Sequence, residues 1–236
     1  MTGRERLIVA LDVDTREKAE RLVDLLSPEV DIFKVGIAPF TAFGEAILEK
    51  IKDNGKRCFL DLKFHDIPNT VANAARKAAE KNVFMMNFHC LGGKKMLEAA
   101  VSGAKKGSKK EKPLLLGVTV LTSICEEDVN ALGLGVKLED KVLELAGVAR
   151  DTGLDGVVAS AKEVRKIKEI CGKDFVTVTP GIRPLWAAKG DQQRVFSPAE
   201  AISEGADYIV VGRPIVQAED PLEAARKIIE EMNNGI

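Results

Sequence analysis

Two carboxylates bracket a lysine in the stretch Phe59-Leu60-Asp61-Leu62-Lys63-Phe64-His65-Asp66-Ile67-Pro68-Asn69-Thr70. Side chains of an extended strand alternate faces with a period of two, so Asp61 and Lys63 point one way and Leu62 the other. Asp66 falls beyond Lys63, where Pro68 marks the start of a helix. Carboxylates so placed attract the ammonium, set its direction and crowd any further anion brought to the same place. An ammonium held between carboxylates is a proton donor rather than a nucleophile. A Schiff-base lysine would sit in an apolar pocket or beside another cation. In a chain with 30% charged residues, the spacing also fits an ordinary ion pair at a strand end, so its surroundings decide.

Those surroundings are a regular alternation of elements. Short apolar, β-rich runs occupy 7–13, 32–36, 57–63, 83–89, 114–120, 156–160, 175–180 and 208–213. Their near-continuous hydrophobicity is that of strands buried on both faces, as in a parallel sheet. Helical patterns lie between them at 15–26, 39–54, 69–82, 93–106, 138–152, 162–170, 198–204 and 221–233. The first opens on a Thr/Glu pair at capping spacing and the second stops at Gly55. Eight strand–helix alternations over this length predict an α/β fold, a (β/α)8 TIM barrel, as a single domain spanning 1–236. A doubly wound open sheet competes, but the first strand–helix turn, Asp12-Val13-Asp14-Thr15, lacks a glycine-rich dinucleotide loop. Longer connections at 122–137 and 181–197 follow the fifth and seventh strands, and long loops of compact domains are commonly functional.

Barrels of this type carry their active sites at the C-terminal strand ends. There the sequence delivers Asp12, Lys34 just before Gly36, Asp61 with Lys63, Asn87 with His89, Thr122 with Ser123, the run Pro180-Gly181-Ile182-Arg183, and Gly212-Arg213. Two lysines and two aspartates alternating in sign around one volume compensate one another. A metal on Asp12, Asp61 and Asp66 is conceivable, although an ammonium among them competes for the same place. At the eighth strand Gly212 allows close backbone approach to an anion and Arg213 supplies a forked donor. With Arg183 and with Gln192 in the long seventh loop, this rim predicts a phosphate site.

Composition narrows the class. Basic and acidic residues number 35 and 36, a net charge of −1, so there is no cationic surplus to recruit nucleic acid. Cys58, Cys90, Cys125 and Cys171 are scattered; three of them lie in or beside apolar runs, which suits buried free thiols in a reducing compartment. His65 and His89 are too few for a zinc site legible in sequence. The N-terminus runs into a strand pattern without a signal-peptide core, and no apolar run approaches the ~18 residues of a membrane span. A cytoplasmic protein is expected.

The chain resembles the orotidine 5′-phosphate decarboxylase family in its bacterial form, along its whole length. The resemblance rests on Ala10-Leu11-Asp12, Phe33-Lys34-Val35-Gly36, the Asp61–Thr70 motif, Leu121-Thr122-Ser123, Thr179-Pro180-Gly181-Ile182-Arg183, Asp191-Gln192-Gln193-Arg194-Val195 and Val211-Gly212-Arg213-Pro214-Ile215. It implies decarboxylation of orotidine 5′-phosphate to UMP and CO2, the last step of de novo pyrimidine synthesis, without cofactor or metal. By resemblance, Lys63 protonates C6, Asp61 lies beside the departing carboxylate, and Lys34 and Asp66 complete the charged array. Asp12 and Lys34 hold ribose hydroxyls and Thr122 contacts the pyrimidine region. Gln192, Gly212, Arg213 and Arg183 secure the phosphate, and Ile67, Thr70 and Pro180 join the substrate-binding residues. The resemblance further implies a homodimer in which Asp66 and Thr70 reach the neighbouring subunit's site. The nearest rivals are magnesium-dependent sugar-phosphate enzymes of the same suprafamily, which by resemblance carry an acidic residue where this chain has Lys34. A catalytically silent phosphate-binding barrel would have lost Lys63 or an aspartate, and all are present.

Overall fold

The structure, a computed structural model, describes residues 1–109, 111–131, 133, 136–187 and 196–235. Eight strands close into a barrel in sequence order: β1 (Leu7–Ala10), β2 (Ile32–Gly36), β3 (Arg57–Phe64), β4 (Met85–His89), β5 (Leu114–Val118), β6 (Gly156–Val158), β7 (Val176–Thr179) and β8 (Tyr208–Val211). Every pairing is parallel, including β8 back to β1. The predicted TIM barrel is thus present, and the open sheet is excluded by the β1–β8 closure.

The period of two sorts each strand between two apolar layers. Ile8, Ala10, Ile32, Phe59, Met85, Leu116, Val178, Tyr208 and Val210 fill the lumen. Leu7, Val9, Phe33, Val35, Leu60, Met86, Phe88, Ile209 and Val211 pack outward against the helices. Burying each of these large side chains stabilises the fold by roughly 1.5–3 kcal/mol before chain entropy is counted. Two residues on from Ile32, Phe59 and Met85, the same lumen faces carry Lys34, Asp61 and Asn87, so the core turns polar towards the C-terminal rim.

The helices depart from the sequence pattern where local chemistry intervenes. The single helix predicted over 39–54 is two, Ile37–Phe43 and Ala46–Asp53, parted at Gly44 with φ +59° and ψ −141°. Thr15 caps Arg16–Leu26 by accepting from Lys18 N at 3.2 Å. Its third helical residue is Lys18 and not a glutamate, so the Thr/Glu capping pair does not form reciprocally. The turns Gly3–Arg6, Glu126–Ala131 and Arg213–Val216 are too short to show a helical period and were not foreseen. All four cysteines are free, but only Cys58 and Cys90 are buried, not three; burial pushes both thiols up to about 12. Among the described residues no helix is long and apolar enough to cross a membrane.

Candidate active site

At the C-terminal mouth of the lumen, β1, β2 and β3 assemble an alternating row of charges. Lys34 Nζ lies 3.3 Å from Asp12 Oδ1 and 3.3 Å from Asp61 Oδ2. Lys63 Nζ donates to Asp61 Oδ1 at 2.7 Å. Lys34 and Asp61 are buried, Lys63 is partly open, and Asp12 stands on the loop just past β1. The order Asp12, Lys34, Asp61, Lys63 gives each inner charge two opposite neighbours, the arrangement that offsets the cost of taking ions out of water.

Two residues outside the sequence-predicted set build this row. Asn87 of β4 is fully buried; its Nδ2 donates to Asp61 Oδ1 at 2.6 Å and its Oδ1 accepts from Lys63 N at 2.8 Å. It therefore ties the carboxylate and the lysine backbone together across the β3–β4 pair. That backbone needs tying, because Lys63 has φ +49°, in the left-handed region that costs a non-glycine residue about 1–3 kcal/mol. The cause is a bulge: Leu60 pairs with Met86 but Phe64 with Phe88, so β3 spends two more residues than β4 over that interval. Bulges re-aim side chains beside active sites, and this one turns Lys63 onto Asp61 while Leu62 packs outward. Gly36 is the second addition. A Cβ there would lie 3.0 Å from Lys34 Nζ and 3.1 Å from Asp12 Oδ1, so its missing side chain is the space in which these two charges meet. Asn87 was visible as a polar strand end and Gly36 as a strand-end glycine, but nothing in a linear sequence pairs them with Asp61 or Lys34.

The row opens into a cavity of about 220 Å³. It is lined by the charged Lys34, Asp61 and Lys63, by Thr122, Ser123 and Pro180, and by apolar side chains that include Phe59, Val118, Leu121, Val158 and Val210. A larger groove of about 610 Å³ lies between the helix Arg16–Leu26 and residues 216–221; Lys18, Arg21, Glu219 and Asp220 line it, and among the described residues no ion pair joins them. The cavity sets a proton donor, Lys63, and a carboxylate, Asp61, beside apolar side chains.

The family model described as orotidine 5′-phosphate decarboxylase / HUMPS matches residues 5–228. The chain belongs to that family. A curated orotidine 5′-phosphate decarboxylase from Moorella thermoacetica is 49% identical over 236 residues, covering 98% of this chain and 94% of the relative. One of the same name from Syntrophomonas wolfei is 49% identical and covers 98% and 99%. Among solved structures, orotidine 5′-phosphate decarboxylase from Lactobacillus acidophilus superposes with a TM-score of 0.85 at 39% identity, covering 97% of this chain and 99% of that one. An uncharacterized conserved protein from Geobacillus kaustophilus superposes at 0.86 with 36% identity, covering 96% and 100%.

Against this family background the remaining predicted site residues divide. Thr122 and Pro180 line the cavity with the charged row. Gly212 follows β8 beside β1, its absent Cβ 3.4 Å from Ala10 Cβ, and exposed Arg213 opens the turn Arg213–Val216. Arg183 is buried; its N donates to Phe196 O at 2.9 Å and its Nη1 to Ile182 O at 3.3 Å. Gln192 and the Asp191–Val195 motif lie outside the described residues. Asp66, Ile67 and Thr70 are exposed, and Asp66 Oδ1 accepts from Ile67 N at 2.6 Å. Among the described residues Asp66 forms no ion pair with Lys63 of its own chain, so the second carboxylate of the row is Asp12.

Among the described residues no group of three or more His, Cys, Asp or Glu is placed to hold a metal ion. The donor set explains this: the ammonium of Lys34 stands between the carboxylates of Asp12 and Asp61, where a divalent cation would have to sit.

Proposed function

We propose that this chain decarboxylates orotidine 5′-phosphate to UMP and CO2, the closing step of de novo pyrimidine synthesis, in the cytoplasm. The observation that carries the reading is Lys63 Nζ held on Asp61 at 2.7 Å in a cavity that Thr122 and Pro180 also line. The C6–carboxylate bond breaks heterolytically and its electron pair stays on C6 as a vinylic carbanion without a conventional electron sink. The stabilising charge must therefore be in place beforehand, and the Lys63 ammonium supplies it, then transfers its proton to C6. The proton comes from the chain and the redox state of carbon is balanced by CO2, so the scheme calls for no cofactor. Asp61 stands beside the departing carboxylate, Lys34 and Asp12 bind ribose hydroxyls, and Thr122 meets the pyrimidine. Gly212, Arg213 and Arg183, with Gln192, hold the phosphate, whose remote binding energy goes into closure and desolvation.

The site is proposed to be shared across a homodimer. Asp66, Ile67 and Thr70 face solvent rather than their own cavity, which leaves them available to a neighbour. The segments just past β2, β3 and β4, neighbours around the barrel, each carry an exposed large apolar residue outside the cavity lining: Ile37 at 57%, Ile67 at 67% and Leu91 at 44% exposure. Exposed apolar side chains grouped on one edge mark an interaction surface, and an isologous dimer would bury it.

The test is to mix purified protein with orotidine 5′-phosphate and follow loss of the orotate absorbance, with and without a chelator. Turnover that persists in chelator and disappears in Lys63→Ala is expected. No turnover by wild type, or full turnover by Lys63→Ala, would overturn the assignment. A strict magnesium requirement would point instead to the sugar-phosphate chemistry of the HUMPS branch.

A further inference from the structure

The two histidines of the chain meet just outside the charged row. His89 closes β4 and His65 follows β3; their rings stack with centroids 5.2 Å apart and planes 20° from parallel. Aromatic pairs at such separations attract through offset faces. Below them the turn Cys90–Gly92 comes close: a Cβ at Gly92 would lie 3.2 Å from His65 Cδ2 and 2.1 Å from Met96 Sδ. The exposed His65 ring thus stacks on the His89 ring and has the Gly92 backbone close to its Cδ2 edge. His89 Nδ1 is buried without a hydrogen-bond partner among the described residues. A buried imidazole nitrogen left unpaired is a cost, and what the fold obtains from this side chain is the ring face.

The residue after His65 is Asp66, and Pro68 then begins the helix Pro68–Glu80. Asp66 is exposed and its carboxylate bonds only to the next backbone N–H, so in the described chain its direction is fixed by how the short link between β3 and the helix is anchored. The ring contact of that link is the stack of exposed His65 on His89. We propose that the His65–His89 stack is a positioning device that holds Asp66 in the direction needed by the partner subunit's active site. The inference rests on the shared-site reading above and adds two positioning residues to it. Neither His65 nor His89 lines the cavity, so the pair acts through Asp66. Metal binding does not explain it, because among the described residues no third His, Cys, Asp or Glu joins the two histidines in a metal-holding group.

Hybrid dimers test the proposal. His65→Ala should lower kcat/KM on the order of tenfold by loosening Asp66, whereas His65→Phe and His89→Phe, which keep a ring to stack, should retain near-normal turnover. A chain carrying Lys63→Ala has no proton donor but keeps a well-placed Asp66. Refolded in equal amounts with His65→Ala, half the dimers are hybrids, and each has one complete site built from Lys63 of one chain and Asp66 of the other. Activity should rise to about a quarter of wild type, well above the sum of the separate variants. The control pairs Asp66→Ala with Lys63→Ala in the same way. If the control recovers activity and the His65→Ala mixture does not, His65 acts within its own barrel and the positioning role is overturned while the shared site stands. If the control also fails to recover, the shared-site reading falls and the inference with it. Loss of activity in His65→Phe equal to that in His65→Ala would likewise overturn a role for the stacked face.

Discussion

Asp61 takes a hydrogen bond from Lys63 and another from Asn87 on one oxygen, and an ion pair with Lys34 on the other. A buried carboxylate so furnished has little freedom to rotate, and Lys63 is aimed by the same contacts. Asn87 is the member of this set whose removal separates aim from charge, since it is neutral and touches both Asp61 and the Lys63 backbone. Asn87→Ala leaves four charges in place but frees their geometry. Turnover should fall on the order of a hundredfold, because small misplacements of reacting groups are expensive. Stability should fall by about 1–3 kcal/mol, the cost of leaving a buried polar partner unsatisfied. Steady-state kinetics with orotidine 5′-phosphate and a denaturant titration read the two effects separately, and a variant with wild-type kcat would refute the positioning role of Asn87.

At the scale of elements, what could be read in advance was whatever repeats with a period. All eight strands and the residues at their ends follow from apolar runs, and the sign alternation of the row follows from placing Asp12, Lys34, Asp61 and Lys63 on one rim. What could not be read has no period. The β3 bulge depends on how many residues β4 spends opposite Leu60–Phe64, which is a property of a pair of strands. The break at Gly44 sits inside an apolar pattern that continues helically on both sides, and the periodicity carried through it. Gly44 is a clean place to test that account. A Cβ there would meet nothing within 4 Å, so Gly44→Ala adds backbone strain and no clash. A cost of about 1–3 kcal/mol is expected for an L-residue held in that region, lowering Tm by about 2–4 °C per kcal/mol for a chain of this size. Calorimetry should show this with catalytic constants unchanged; an unchanged or raised Tm would mean the two helices can fuse without loss.

For the whole molecule the two rims of the barrel use charge differently. At the N-terminal rim, Asp31 binds Arg4 at 3.0 Å and Lys56 at 3.0 Å, and Asp207 binds Lys168 at 2.6 Å and Thr177 N at 2.7 Å. These pairs staple neighbouring segments on the outside. Burial alone would raise the Asp31 carboxyl, yet Arg4 and Lys56 hold it below the usual range. At the C-terminal rim the charges instead face a cavity, and the apolar residues Ile37, Ile67 and Leu91 stand exposed outside its lining. If that edge is the dimer surface, quaternary structure and activity must fail together. Leu91 is suited to the test, because it lies in the turn Cys90–Gly92 after β4 and contributes nothing to the charged row. Leu91→Glu places a charge on each side of a two-fold contact, where its burial is costly and its copy opposes it. Sedimentation should show wild type as a dimer and Leu91→Glu as a monomer at micromolar concentration. Its kcat should be lost, because Asp66 and Thr70 of a neighbour no longer reach the cavity. Ile170→Glu makes the same change at a comparably exposed apolar residue on the helix Ala161–Cys171, away from this edge, and should remain dimeric and active. A monomeric Leu91→Glu with full turnover would confine the active site to one chain, and Asp66 would then need another explanation.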